Sequence, residues 1–248
     1  MANQYRVQNP VTNEVVETFD FATDQEIQDI LDRSEEAFKT WRTTSYEERA
    51  AIVGKAAQLL KERATELAQI AAEEMGKPIP EGEWEMNFSG DILQFYADNA
   101  AEHSADKKVD VPGGKAVVRR LPLGTLLGIM PWNYPIYQIA RFAGPNLMNG
   151  NCIILKHAEI TPKSAAVIEE IFREAGLPEG VYINIYADHD QIADVIADPR
   201  VQGVSLTGSE RAGAAIAEIA GRNLKKAVLE LGGTDPYIIL DAADITKA

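Results

Sequence analysis

From residue 124 onward, short apolar runs alternate with stretches of helical period, and this alternation limits the possible folds more than any other feature of the chain. The runs are TLLGIM, CIILK, YINIY, GVSL, AVLEL and YIIL. They are apolar nearly throughout rather than at every second position, which suits strands covered on both faces. Strands separated by helices pair in parallel through crossover connections. The clearest intervening helix spans 162–175, with Thr161 as N-cap, Pro162 at the first position, Ile168, Ile171, Phe172 and Ala175 inward, and Gly176 just past the end. Another begins near Ser209 and carries Ala212, Ala215, Ile216 and Ile219 before Gly221. The expected class is α/β, with a parallel sheet and crossover helices over 124–248.

Residues 1–106 read instead as a helical layer behind a short opening strand. Thr23 and Glu26 form a capping box ahead of Ile27, Ile30, Leu31, Phe38 and Trp41, which share one helical face. Ser45 and Glu48 repeat the device. Ile52, Leu59, Leu60, Leu67 and Ile70 then mark one long amphipathic helix ending at Gly76, with Pro78 beyond. A less regular helical pattern covers 80–104. Residues 107–123, KKVDVPGGKAVVRRLPL, read as a hairpin arm turning at Pro112-Gly113-Gly114, its strands alternating apolar and charged residues. Such an arm can project and pair with another subunit.

The charge balance, 24 Lys and Arg against 38 Asp and Glu for a net −14, disfavours nucleic acid and anionic membrane as partners. Cys152 is the only cysteine and there are three histidines, so no metal site is expected and the cysteine usage is that of a reducing compartment. MANQYRVQNP has no apolar leader core, and no run approaches the roughly 18 apolar residues of a membrane span. The expectation is a cytoplasmic protein.

In open α/β sheets ligands bind beyond the carboxyl ends of the strands. Four stretches lie there. In MPWNYP (130–135) two prolines restrict the backbone around Trp132, Asn133 and Tyr134 and would fix the angle of the Asn133 amide. In LKHAEITP (155–162) Lys156 and Glu159 leave a strand together, well placed for a nucleotide ribose. In SLTGSERAG (205–213) Gly208 turns the chain into a helix capped by Ser209, whose free N–H groups suit a phosphate. In LELGGTDP (229–236) a glutamate, Glu230, stands in an apolar run followed by Gly232 and Gly233, which leave room for something flat and bulky. A carboxylate buried there would have to be protonated or hydrogen-bonded. Each stretch also has an ordinary reading: a Pro-rich turn, a solvated ion pair, a helix cap, a strand-end carboxylate reaching water.

Taken in order, PWNYP, KHAEITP, LTGSERAG and LELGGTDP resemble the N-terminal half of the aldehyde dehydrogenase superfamily. The wording of ARFAGPNLMNGN, IADPRVQGVSLTGSERAG and GRNLKKAVLELGGTDPYIIL is similar to bacterial succinate-semialdehyde dehydrogenases. The resemblance implies a Rossmann-like nucleotide-binding part and oxidation of a small aldehyde, succinate semialdehyde first, through a thioester. It implies NAD as cofactor, with NADP possible, and a homo-oligomer. It places Asn133 as the oxyanion donor and Glu230 as the base that activates water. Trp132, Lys156, Glu159, Gly208, Ser209, Glu210 and Leu231 fall to the cofactor. A carboxylate at Glu159 facing the 2′-hydroxyl would repel a 2′-phosphate, which favours NAD.

Two departures stand out. YADHDQ (186–191) replaces a glycine-containing loop common among relatives. The family's nucleophilic cysteine falls roughly 30–35 residues beyond the LELGG glutamate, whereas this chain ends 18 residues beyond Glu230. The resemblance therefore implies a chain without the catalytic domain, inactive by itself, in which Cys152 is a structural thiol. The competing reading is a non-catalytic nucleotide-binding module or an assembly fragment that pairs through the 107–123 arm.

Overall fold

The structure, a computed structural model, describes residues 4–241 and 246; residues 1–3, 242–245 and 247–248, at the ends of the ranges above, lie outside the described residues. A strand pair, β1 (Tyr5–Gln8) and β2 (Val15–Phe19), precedes four helices: α1 (Asp24–Trp41), α2 (Tyr46–Glu62), α3 (Ala64–Met75) and α4 (Ile79–His103). The hairpin strands β3 (Lys107–Val109) and β4 (Ala116–Val118) follow. The remainder alternates as β5 (Thr125–Met130), α5 (Tyr137–Met148), β6 (Cys152–His157), α6 (Pro162–Glu174), β7 (Tyr182–Ile185), α7 (His189–Ala197), β8 (Val201–Thr207), α8 (Glu210–Arg222) and β9 (Lys226–Glu230).

Strands β5 to β9 form one parallel sheet in the order β7-β6-β5-β8-β9. The chain winds outward from β5 in one direction through β6 and β7, then restarts beside β5 with β8. Strand order reverses at β5 and β8, and the crevice at their carboxyl ends is where such sheets take ligands. Each sheet face carries its own core. On one, α2, α4, α5 and α6 bury Leu60, Leu93, Ile139, Leu147, Ile168 and Phe172 against Cys152, Ile153 and Leu155. On the other, α1 and α7 bury Leu31, Ile192 and Ile196 against Leu127, Ile154 and Ile183. Close packing of α4 depends on its glycines: a Cβ on Gly82 would lie 2.7 Å from the Ala68 Cβ, and one on Gly90 2.8 Å from the Ala57 carbonyl oxygen.

The capping boxes are both present, Thr23 with Glu26 opening α1 and Ser45 with Glu48 opening α2. The long helix expected over 46–76 is two. Arg63 leaves helical geometry between α2 and α3, and its guanidinium pairs with Glu66, Glu170 and Glu174, tying the break to α6. Neither glycine nor proline marks this bend in the sequence. Helix α6 also departs from expectation at its start. Thr161 occupies the cap position without capping, because its hydroxyl is committed to His157 Nδ1 at 2.7 Å. The free N–H groups of Lys163 and Ser164, and the Ser164 hydroxyl, donate instead to the buried carboxylate of Glu74, from α3. YADHDQ proves to be the entry to α7, where Asp188 and Gln191 make a third capping box.

Two apolar runs do not behave as buried strands. β9 is the sheet edge beside β8, and Val228 and most of its neighbours are exposed. YIIL (237–240) belongs to no described strand, with Tyr237, Ile238 and Leu240 exposed. The hairpin arm turns at Gly113, whose φ of 73° lies in the left-handed region, and its Val109, Val111, Val117 and Val118 are exposed.

Two buried groups make stability depend on pH in opposite senses. Burial pushes the Glu74 carboxyl up to about 7 from 4.5, against the Ser164 hydroxyl, the two N–H donors and the Lys163 charge. The unfolded chain releases that proton first, so this stability is complete below about 4.5 and is lost as pH rises toward 7. Burial lowers His157 from 6.5 to about 4, so its stability is present above 6.5 and lost as pH falls toward 4. The two slopes oppose each other, and Glu74→Gln should leave that of His157 uncovered: denaturant titrations should then lose about 3 kcal/mol between pH 6.5 and 4 relative to the parent profile. A variant profile that matches the parent would refute this balance.

Candidate functional site

The loop after β5 carries Trp132 and Asn133 at the strand-order reversal. Both are exposed, Trp132 by half. Asn133 Oδ1 accepts from the Tyr134 N–H at 3.1 Å. A backbone donor can be met only by the amide oxygen, so the side-chain NH2 is left pointing away from its own backbone as a donor. The loop is held from behind. Its Pro135 carbonyl accepts at 2.9 Å from His157 Nε2; the other ring nitrogen, Nδ1, accepts from the Ala158 N–H and the Thr161 hydroxyl. These partners fix the neutral tautomer, in agreement with the low value of this buried imidazole.

After β6, Lys156 Nζ meets Glu159 Oε1 at 2.5 Å, and His189 Nε2 lies 3.8 Å from the same oxygen. Burial pushes the Glu159 carboxyl up, but Lys156, by charge and hydrogen bond, outweighs it and holds the group below the usual carboxylate range. The opening strand supports this turn: the Arg6 N–H donates to the Glu159 carbonyl at 3.0 Å, and the Tyr5 hydroxyl reaches the His157 carbonyl.

After β8, Ser209 caps α8 by accepting from the Ala212 N–H at 3.2 Å, with Glu210 as the exposed first helical residue. The Gly208 N–H donates to the Glu230 carbonyl at 2.9 Å, which ties this turn to the end of β9. Leu231 lies against α8 where Gly213 has no side chain; a Cβ there would be 2.6 Å from Leu231 Cδ2. Gly208, Ser209, Glu230 and Leu231 are thus one cluster.

The burial expected at Glu230 is not found. β9 is an edge strand, and 55% of the Glu230 side chain is exposed. Its carboxylate faces Arg141 of α5 at 3.8 Å. Both border a cavity of about 280 Å³ with Met130, Gln138, Phe142, Thr207, Lys226 and Val228 among its other walls, while Trp132 and Asn133 lie outside it. Arg141 lies in ARFAGPNLMNGN, a stretch that carries the resemblance but is assigned no role in the site. The signal that could have found it is helical spacing, since the α5 register that turns Gln138 to the cavity turns Arg141 there too. Glu85 and Lys77, buried beneath the Asn133 loop, were equally invisible among the acidic and basic residues of the helical layer.

Cys152 is buried at the start of β6, and burial pushes its thiol up to about 12, with a hydrogen bond to Ser34 opposing. A thiol so placed is not a nucleophile near neutral pH. Among the described residues no group of side chains could hold a metal ion and no helix is long and apolar enough to cross a membrane.

The model of the aldehyde dehydrogenase family matches residues 1–248. The chain belongs to that family. Among aldehyde dehydrogenase relatives, the succinate-semialdehyde dehydrogenase [NADP(+)] of Deinococcus radiodurans is 50% identical over 237 residues, which are 96% of this chain and 50% of the relative. The succinate semialdehyde dehydrogenase [NAD(P)+] of Escherichia coli is 40% identical over 97% of this chain and 52% of its own length. A crystal structure of succinic semialdehyde dehydrogenase from Streptococcus pyogenes in complex with NADP+ superposes with a TM-score of 0.93 at 44% identity, covering 98% of this chain and 54% of that one. The chain spans about half the length of the aldehyde dehydrogenases it matches.

Proposed function

We propose that the full-length protein oxidises succinate semialdehyde to succinate with NADP or NAD as the acceptor. The observation that carries this reading is Arg141 beside Glu230 in one cavity that runs along β5, β8 and β9, with Glu230 at the carboxyl end of β9. An aldehyde with a carboxylate at its far end needs a cation held apart from the reacting carbon, and Arg141 supplies one, in the first turns of the helix that follows the Asn133 loop.

In this reading the exposed Asn133 amide donates to the aldehyde oxygen as negative charge develops on it. Glu230 takes a proton from the water that supplies the second carboxylate oxygen. The nicotinamide, when bound, supplies the hydride acceptor; overall, aldehyde, water and oxidised cofactor give carboxylate, reduced cofactor and two protons. Lys156 and Glu159 take the ribose, the Gly208, Ser209 and Glu210 turn takes the pyrophosphate, and Trp132 and Leu231 flank the cofactor. A 2′-phosphate would meet a Lys156–Glu159 pair rather than a lone carboxylate, so the repulsion that favours NAD is offset. NADP, the cofactor in the names of several relatives, is admitted on the same grounds. Cys152 cannot serve as nucleophile, so the 248 residues alone are inactive in this reading. The full-length protein is cytoplasmic and assembles through the 107–123 arm.

The test is NADPH or NADH formation by the full-length protein. Succinate semialdehyde should be oxidised, and Arg141→Leu should raise its KM about 10–100-fold while butanal changes by only a fewfold. No turnover of succinate semialdehyde would overturn the proposal, and equal losses for both aldehydes would remove Arg141 from it.

A further inference from the structure

Beneath the Asn133 loop, in the layer that no strand-end motif reaches, lies a buried ion pair. Glu85 of α4 is fully buried and forms a close salt bridge with Lys77, itself nearly buried in the α3–α4 turn. The other carboxylate oxygen, Oε1, accepts from the Ile136 N–H at 2.8 Å and the Tyr137 N–H at 3.0 Å. These are the groups with which α5 begins, and a carboxylate at that end also meets the favourable side of the helix dipole. Lys77 Nζ lies 3.8 Å from the centre of the Tyr134 ring. Every residue from 134 to 137 therefore has an anchor: Tyr134 through Lys77, Pro135 through His157, Ile136 and Tyr137 through Glu85. Asn133, immediately before these anchored residues, is exposed and keeps its NH2 as a donor.

We propose that Glu85, with Lys77 as its counter-ion, is a positioning residue for Asn133, setting the angle of the oxyanion donor through the N–H groups of Ile136 and Tyr137. This rests on the reading of Asn133 given above. A carboxylate that merely capped α5 would not need its lysine over the tyrosine of the Asn133 loop. A rigid donor is worth more than a mobile one because it is already aimed when charge develops, and a displacement near 1 Å is enough to cost about 100-fold in rate.

The test is a double-variant cycle in the full-length protein with succinate semialdehyde and NADP. Glu85→Asp keeps the charge and the lysine but withdraws the acceptor by one methylene. It should lower kcat about 10–100-fold with less than about a twofold change in NADP affinity measured by fluorescence. Combined with Asn133→Ala it should be no slower than Asn133→Ala alone, since there is then no donor to misplace. Glu85→Gln, whose amide oxygen can still accept from both N–H groups, should recover most of the rate. Multiplying effects in the double variant, or a loss of NADP affinity in step with kcat, would assign Glu85 a structural role and overturn the proposal. If Asn133→Ala itself leaves kcat unchanged, the reading of Asn133 fails first and this inference falls with it.

Discussion

Asn133→Ala in the full-length protein is expected to lower aldehyde turnover about 10²–10³-fold, some 3–4 kcal/mol of barrier, with cofactor affinity unchanged. The magnitude follows from what the side chain is. Its amide oxygen is occupied by the Tyr134 N–H, so only the NH2 faces outward, and the loop behind it is held at each of the next four residues. A neutral donor in that setting gives its full strength to the developing oxyanion and requires no rearrangement to do so. Asn133→Asp should be worse than Asn133→Ala, because it replaces a donor by a charge of the same sign as the one being formed. Steady-state rates with succinate semialdehyde, together with a cofactor titration on the same samples, check both expectations. A tenfold loss or less from Asn133→Ala, or a parallel loss of cofactor affinity, would show that Asn133 is packing rather than an oxyanion donor.

The strands and helices that the sequence made legible are those whose signals are local. The runs TLLGIM, CIILK and YINIY are covered on both sheet faces and became β5, β6 and β7. Thr23, Ser45 and Ser209 sit within three residues of the N–H groups they cap and were readable for that reason. What escaped depends on partners far away in the chain. Glu74 caps a helix that begins at Pro162, and so displaced Thr161 from that role. Arg63 breaks a helix for the sake of glutamates more than a hundred residues on. Strand position is equally non-local: AVLEL has the composition of an interior strand, but the order β7-β6-β5-β8-β9 puts it at an edge, and the burial expected for Glu230 disappeared with it. The candidate site divides the same way. Asn133, Lys156, Glu159, Ser209 and Glu230 became candidates by lying at or just past the ends of apolar runs, whereas Arg141, Glu85 and Lys77 are helix or turn residues that become candidates only once α4 and α5 are packed against the end of β5.

Lys77→Met should be among the most destabilising single substitutions in the chain, costing about 3–5 kcal/mol. The pair is buried on both sides, so removing the lysine leaves the Glu85 carboxylate with no cation and no access to water. The Ile136 and Tyr137 N–H groups would continue to donate to it, and the start of α5 is electrostatically favourable, but dipoles of this kind do not replace a contact charge. The revealing comparison is Lys77→Met with Glu85→Gln. That double variant carries no buried charge and still presents an oxygen to both N–H groups, so it should regain most of the stability lost by Lys77→Met. Urea unfolding of the parent and the two variants at pH 7 measures all three. A loss below about 1 kcal/mol for Lys77→Met would mean that the packing around α4 and α5 tolerates a solitary carboxylate. A double variant no more stable than the single one would mean that the methionine, rather than the abandoned charge, is what the fold rejects.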